Sequence, residues 1–154
     1  MKIVEKKIKS TFEAVHDFVL EAADLIKNID DLEVDDLLFK INIMLREVLN
    51  NAVEHGNNFD DSKFIYCKIF CKNETFIFEI EDEGEGFVAN DFYMMDEGFT
   101  MKNRSRGLEL IEKYGFKYRF KKNKVIVEYD LNKERLSWKQ NVKAIWWSLL
   151  FKTI

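Results

Sequence analysis

The stretch from Leu38 to Gly56 constrains this chain most. Its apolar residues Leu38, Ile41, Leu45, Val48 and Ala52 recur at alternating three- and four-residue steps, which lays one apolar stripe along a helix and leaves another face free. A helix is predicted over 36–55. On the free face Glu47, Asn51 and His55 follow one another at four-residue spacing, so a carboxylate, an amide and an imidazole stack along one edge within reach of a single ligand. Asparagine is a poor helix former because its short amide competes for backbone hydrogen bonds. The doublet Asn50-Asn51 inside the pattern therefore points to what the side chains do rather than to propensity. Gly56 ends the element, as glycine commonly does past a helix C-terminus.

The surrounding segments supply a sheet and two more helices. Residues 2–9 are crowded with lysine, which suits an edge strand that must not pair with other chains. Ser10-Thr11-Phe12-Glu13 has capping-box spacing, and Val15, Phe18, Val19, Ala22, Leu25 and Ile26 follow at helical intervals, predicting a helix over 11–28. The acidic connection 30–36 offers aspartates to cap the Glu47 helix. Beyond the polar loop 57–62, runs at 64–71 and 76–82 flank a turn at 72–74 and read as a hairpin. In its second strand Phe76, Phe78 and Ile80 share a face, and by the same parity Asp82 belongs to it. The Asp82 carboxylate is thereby aimed between sheet and helices, where a buried charge is costly unless donors meet it.

That strand ends in Asp82-Glu83-Gly84-Glu85-Gly86-Phe87, whose glycines let the backbone turn and a ligand approach. Residues 88–105 are longer than most connections and carry Phe92, Tyr93, Met94, Met95 and Phe99, a content that fits a lid. Arg104-Ser105-Arg106-Gly107-Leu108 opens a helix that runs through Tyr114 and stops at Gly115; free amides at its start and two arginines would suit a phosphate. A second hairpin is predicted from 116–120 and 125–131.

With 154 residues, 47% of them hydrophobic, the chain can build one sizeable core but not two. A net charge of −4 with no basic block in the main body disfavours nucleic acid and leaves a small ligand or a protein as partner. Cys67 and Cys71 share one strand face as an isolated pair, which makes neither a disulfide framework nor a four-ligand zinc site; they read as reduced core thiols. No signal-peptide run opens the chain and no eighteen uncharged apolar residues occur together, so a cytoplasmic protein is expected. His16 has no evident partner, His55 reads as structural, bonding the loop after its helix, and Glu54 as solvated. The character changes near Asn132. From there Lys133, Arg135, Lys139, Lys143 and Lys152 mingle with Trp138, Trp146, Trp147 and aliphatic residues, predicting a basic, tryptophan-rich helix. It is too short to cross a bilayer, and it packs on its own domain, in a partner groove or at a membrane interface.

Taken in order, the Glu/Asn helix, the Asp-x-Gly-x-Gly turn at a strand end and the glycine-bearing helix after a long lid resemble the GHKL, or Bergerat-fold, ATP-binding superfamily. Glu47-Val48-Leu49-Asn50-Asn51-Ala52-Val53-Glu54-His55-Gly56, the Asp82 turn and Arg106-Gly107-Leu108-Glu109-Leu110-Ile111 look most like its small anti-sigma-factor serine-protein kinases. The resemblance covers 1–131 and leaves 132–154 as an extension outside it. It implies an α/β (α+β) two-layer sandwich, with a mixed, mostly antiparallel sheet and the helices 11–28, 36–55 and 106–114 on one face. ATP would lie between the layers beneath the lid.

The resemblance also implies roles. Asn51 is the ligand of a Mg²⁺ ion bridging the ATP phosphates, a suitable oxygen donor for a hard cation that keeps most of its waters. Glu47 is the general base. Asp82 recognises the adenine amino group, which accounts for its inward aim. Gly84, Gly86 and Gly107 let the backbone approach the nucleotide, and Arg106 and Leu108 complete the nucleotide-binding set. Ser105 departs from the family's usual glycine, and Glu109 from its glycine or apolar residue; both bear on the lid and the γ-phosphate contacts. With only His16 and His55 in the sequence, a complete sensor histidine kinase is not expected. The implied function is an ATP-dependent serine-protein kinase that sequesters a sigma factor and phosphorylates its antagonist, with a homodimer among the assemblies it allows. The alternatives are a noncatalytic nucleotide-dependent module whose tail docks on a partner or membrane, and an ATPase subunit of a larger phosphorelay.

Overall fold

Side chains that alternate with period two build a sheet, and three amphipathic helices cover one of its faces. A computed structural model describes residues 1–29, 35–86 and 101–132, with side chains at all of these except 35 and 101–106. The aromatic lid residues, most of the acidic connection and the basic tail from Lys133 lie outside the described residues. In chain order the elements are β1 (Lys2–Lys9), α1 (Phe12–Lys27), α2 (Asp35–Asn51), a π-helical turn (Ala52–Gly56), β2 (Phe64–Lys72), β3 (Thr75–Asp82), α3 (Met101–Lys113), β4 (Lys117–Lys121) and β5 (Lys124–Asp130).

The strand order is β1-β2-β3-β5-β4, so lysine-rich β1 is an edge strand, as its composition demands. Every described neighbouring pair is antiparallel, and the mixed sheet expected from the sequence is corrected to a uniformly antiparallel one. The reason is topological. The strand that follows the α3 connection, β4, goes to the outer edge, and its hairpin partner β5 takes the place beside β3, which reverses the direction found there.

Parity decides what the helices cover. Along β3, Phe76, Phe78, Ile80 and Asp82 are buried while their neighbours are half-buried, and Ile65, Cys67 and Ile69 of β2 face the same way. Phe76, Phe78, Phe116 and Tyr129 stack ring against ring in this layer. Each fully buried side chain of this size contributes about 1.5–3 kcal/mol. Burial pushes the Cys67 thiol up to about 12, which keeps it protonated and unreactive, in line with a core thiol. From α2 the sheet receives Leu37, Ile41, Met44, Leu45, Val48 and Leu49, a wider stripe than the three-four pattern alone marks, with Leu38 only at its margin.

Local details differ from the sequence reading. The N-cap of α1 is Thr11, whose hydroxyl accepts from the Ala14 amide at 3.2 Å, one residue later than a capping box at Ser10 requires. Ser10 instead continues the β1–β2 ladder by donating its amide to Lys63 O at 3.0 Å. Leu25, expected on the core stripe, is 38% exposed, because the buried face centres on Val15, Phe18, Val19, Ala22 and Ile26. His16, without a partner in the sequence reading, meets Arg46 of α2 at 3.2 Å. Among the described residues no helix is long and apolar enough to cross a membrane.

Candidate functional site

Helix α2, the end of β3, α3 and the β4–β5 turn enclose a cleft lined by Val48, Asn51, Ala52, Ile80, Asp82, Leu108, Phe120, Asn123 and Val125. Of the residues singled out from sequence, Asn51, Asp82 and Leu108 line it directly. Glu47 stands one turn before Asn51, and the Asn51 side-chain amide donates to Glu47 Oε1 at 3.2 Å. With the NH₂ group spent on Glu47, the Asn51 oxygen occupies the other branch of the amide, the branch a cation would need.

The third member of the expected row is not beside them. The α-helix ends at Asn51, and the next five residues widen into a π turn closed by the Asn57 amide donating to Ala52 O at 2.8 Å. A five-residue hydrogen-bond spacing rotates the following side chains relative to an α-helix, and such turns recur at functional sites. His55 accordingly does not line the cleft, and its Nε2 lies 3.8 Å from Glu54. The bonds to the following loop that the sequence reading gave to His55 are made by Asn57.

Asp82 is 8% exposed. Its Oδ1 accepts the Gly84 amide at 2.9 Å, one of the donors that a buried carboxylate requires. The glycines around it are explained by contacts inside the protein. A β-carbon on Gly56 would overlap the Asp82 carboxylate, and one on Gly84 would overlap the Gly56 carbonyl. Gly86 has φ +84°, in the left-handed region, and a β-carbon there would lie 2.7 Å from the Lys122 carbonyl carbon, so no other residue fits comfortably. The Asp82 turn is thus pressed against the end of α2 on one side and the β4–β5 turn on the other.

The structure corrects the phosphate-binding helix start. Helix α3 begins at Met101, five residues before Arg106, so the amides around Gly107 belong to a helix interior and are not free. Ser105 supplies the physical reason. Where glycine would weaken the helix by up to about 1 kcal/mol, serine with the flanking Met, Lys and Arg lets it run on. The Arg106 side chain lies outside the described ones. Gly107 faces α2 at close range, and a β-carbon on it would overlap the Glu47 carboxylate. That glycine gives room to Glu47, and Leu108 beside it is 8% exposed.

Four contributors went unread in the sequence. Phe120, Asn123 and Val125 line the cleft, and Asn57 is 0% exposed with every polar group engaged. Strand parity from the buried Val127 and Tyr129 could have found Val125. Nothing local separates Asn57 from its exposed neighbour Asn58.

Chemically, the cleft sets the apolar side chains of Val48, Ala52, Ile80 and Val125 beside the buried Asp82 carboxylate and the Asn51 amide, which is bonded to Glu47. The Asp82 carboxylate offers an acceptor for a ligand amine beside these apolar side chains. Among the described residues no group of three or more His, Cys, Asp or Glu side chains could hold a metal. A cation here would depend on Asn51 and on oxygens brought by the ligand, which suits Mg²⁺ bound with phosphates and water and fits the donor set present.

The model of the histidine kinase-like ATPase domain family matches residues 8–128. No curated protein matches the sequence. Among solved structures, the histidine kinase domain of a blue-light activated histidine kinase from Erythrobacter litoralis is similar at TM-score 0.50 and 17% identity, over 79% of this chain and 63% of that one. The histidine kinase AdeS of Acinetobacter baumannii gives TM-score 0.45 and 19% identity, over 86% of this chain and 70% of that one. The chain therefore spans less than two thirds of the first of these structures, and at 17% identity that likeness shows the fold alone.

Proposed function

Because the chain belongs to the histidine kinase-like ATPase domain family, within the GHKL superfamily that its motifs resemble, we propose that it is an ATP-dependent serine-protein kinase of the anti-sigma-factor type. On this reading it phosphorylates an antagonist protein and thereby controls its own hold on a sigma factor. The observation that carries the proposal is the Glu47–Asn51 pair, bonded at 3.2 Å on one helix, across an apolar cleft from the buried Asp82 carboxylate. ATP, when bound, supplies the phosphoryl group. Asp82 would accept a hydrogen bond from the adenine amine, Asn51 would hold Mg²⁺ through its amide oxygen, and Glu47 would take the proton from the serine hydroxyl as its oxygen bonds the γ-phosphorus and ADP leaves. Residues 1–131 form the catalytic unit, and 132–154 make a separate contact with a partner protein. Truncation after Asn132 leaves ATP affinity unchanged; a loss of affinity would place the tail in the nucleotide site.

The proposal is tested by incubating the chain with radiolabelled ATP and candidate antagonist proteins and following label on serine. Label on serine supports it. If ATP binds and neither protein nor water ever receives phosphate, the chain is a nucleotide-dependent binding module instead.

Gly107 gives a sharper test of the same geometry. In Gly107→Ala the new methyl group takes the space of the Glu47 carboxylate, the free end of a flexible side chain that can swing away. Alanine gains up to about 1 kcal/mol in a helix interior, which offsets the loss of the Glu47–Asn51 bond, worth about 1 kcal/mol. The expected variant melts within a few degrees of the parent, by about 1 kcal/mol at most, yet transfers phosphate at least roughly tenfold more slowly. Thermal melts and single-turnover rates measured together check this; unchanged transfer would mean that Glu47 is not held by Gly107 in the working state.

A further inference from the structure

We infer that Asn57 is a positioning residue that fixes the Asp82 end of the cleft relative to the Asn51 end and so sets the choice of nucleobase. This rests on the reading of the cleft as an ATP site. Asn57 is fully buried, and its four polar groups reach in different directions. Its amide N–H donates to Ala52 O at 2.8 Å, closing the turn that directly follows Asn51, and its carbonyl accepts from the Asp60 amide at 3.1 Å. The side chain crosses to the sheet. Asn57 Nδ2 donates to Phe64 O at 3.0 Å, and Asn57 Oδ1 accepts the Glu83 amide at 2.8 Å. One residue thus binds the end of α2, the start of β2 and the residue next to Asp82.

The position of Asp82 depends on this tie more than on the sheet alone. The neighbouring β5 side holds the Asp82 amide through Asn123 O at 3.0 Å, and the Asn123 side chain donates to Asp82 O. Those bonds fix Asp82 to the β4–β5 turn but say nothing about its distance from α2. On the α2 side Asp82 and Gly84 press on Gly56 through close van der Waals packing, which resists approach but not separation. The Asn57 side chain, bonded to Phe64 O and to the Glu83 amide, is a hydrogen-bonded link that opposes separation. A carboxylate held there accepts from the exocyclic amine of adenine and repels the carbonyl oxygen that guanine presents at the same place. A carboxylate free to drift discriminates less.

The test measures ATP and GTP affinities for the parent, Asn57→Ala, Asp82→Asn and the double variant, with melting curves to show that each is folded at the assay temperature. The expected Asn57→Ala protein loses tenfold or more in the ATP-over-GTP ratio. In the double variant Asn57→Ala costs little beyond Asp82→Asn, because two residues that act through one contact are not additive. A purely structural role would lower the melting temperature and leave the ratio unchanged, and that outcome overturns the inference. Should Asn57→Ala not fold, Asn57→Leu, which keeps the volume and lacks both side-chain hydrogen bonds to Phe64 O and the Glu83 amide, is read in the same way. A parent that binds no ATP defeats the functional reading and this inference with it; a parent that prefers ATP beside a folded variant with the same preference defeats this inference alone.

Discussion

Asp82→Asn is expected to bind ATP about 100-fold more weakly than the parent, an effect of about 3 kcal/mol, while keeping its fold. The argument is one of counting acceptors. The Asp82 carboxylate has two oxygens, and one of them already accepts the Gly84 amide at 2.9 Å. With adenine bound, the carboxylate meets a further donor, the exocyclic amine. Asparagine has a single oxygen, so whichever way its amide is turned, either the Gly84 N–H or the adenine amine faces another N–H group. A buried donor left without an acceptor costs about 1–3 kcal/mol, and more is lost because the original acceptor was charged. Titration of both proteins with labelled ATP, alongside circular dichroism, checks the result. Affinities within a factor of about three, less than 1 kcal/mol apart, would remove Asp82 from adenine recognition.

The inward aim of Asp82 was legible because strand parity is a local, rigid rule. Once Phe76, Phe78 and Ile80 mark the covered face, Asp82 has no other place to point. The α2 stripe was legible for a similar reason, since helical period needs only neighbours three and four residues away. What could not be read depends on contacts remote in sequence. Asn57 meets Glu83 across 26 positions, His16 meets Arg46 across 30, and Asn123 meets Asp82 across 41. The π turn after Asn51 belongs with these, because it is closed by the Asn57 amide while the Asn57 side chain is engaged on the sheet. The start of α3 was misplaced for the opposite reason. Gly107 looks like a helix start, but its smallness answers to the Glu47 carboxylate on another helix, and the chain before it has the propensity to continue helical. A glycine in the sequence marks close approach; it does not say to what.

Glu47→Gln should separate binding from chemistry. Glutamine has the same length as glutamate, and its side-chain oxygen can still accept the Asn51 amide that now lies 3.2 Å from Glu47 Oε1. Gly107 leaves room for the terminal group of either residue. The packing, the Asn51 orientation and the metal ligand therefore persist, and Mg-ATP affinity is expected to stay within a factor of about three of the parent, less than 1 kcal/mol. A neutral amide cannot accept the proton of an attacking hydroxyl, so phosphoryl transfer should fall by roughly 10²–10⁴. Asn51→Ala is expected to behave in the opposite way. It removes the oxygen offered to Mg²⁺ and the donor that orients Glu47, so Mg-ATP binding itself weakens, and excess Mg²⁺ partly restores it because the cation keeps its water and phosphate ligands. Equilibrium titrations with and without Mg²⁺ and single-turnover transfer assays on all three proteins distinguish the patterns. Transfer by Glu47→Gln at the parental rate would show that the proton leaves by another route and that Glu47 serves only to hold Asn51 in place.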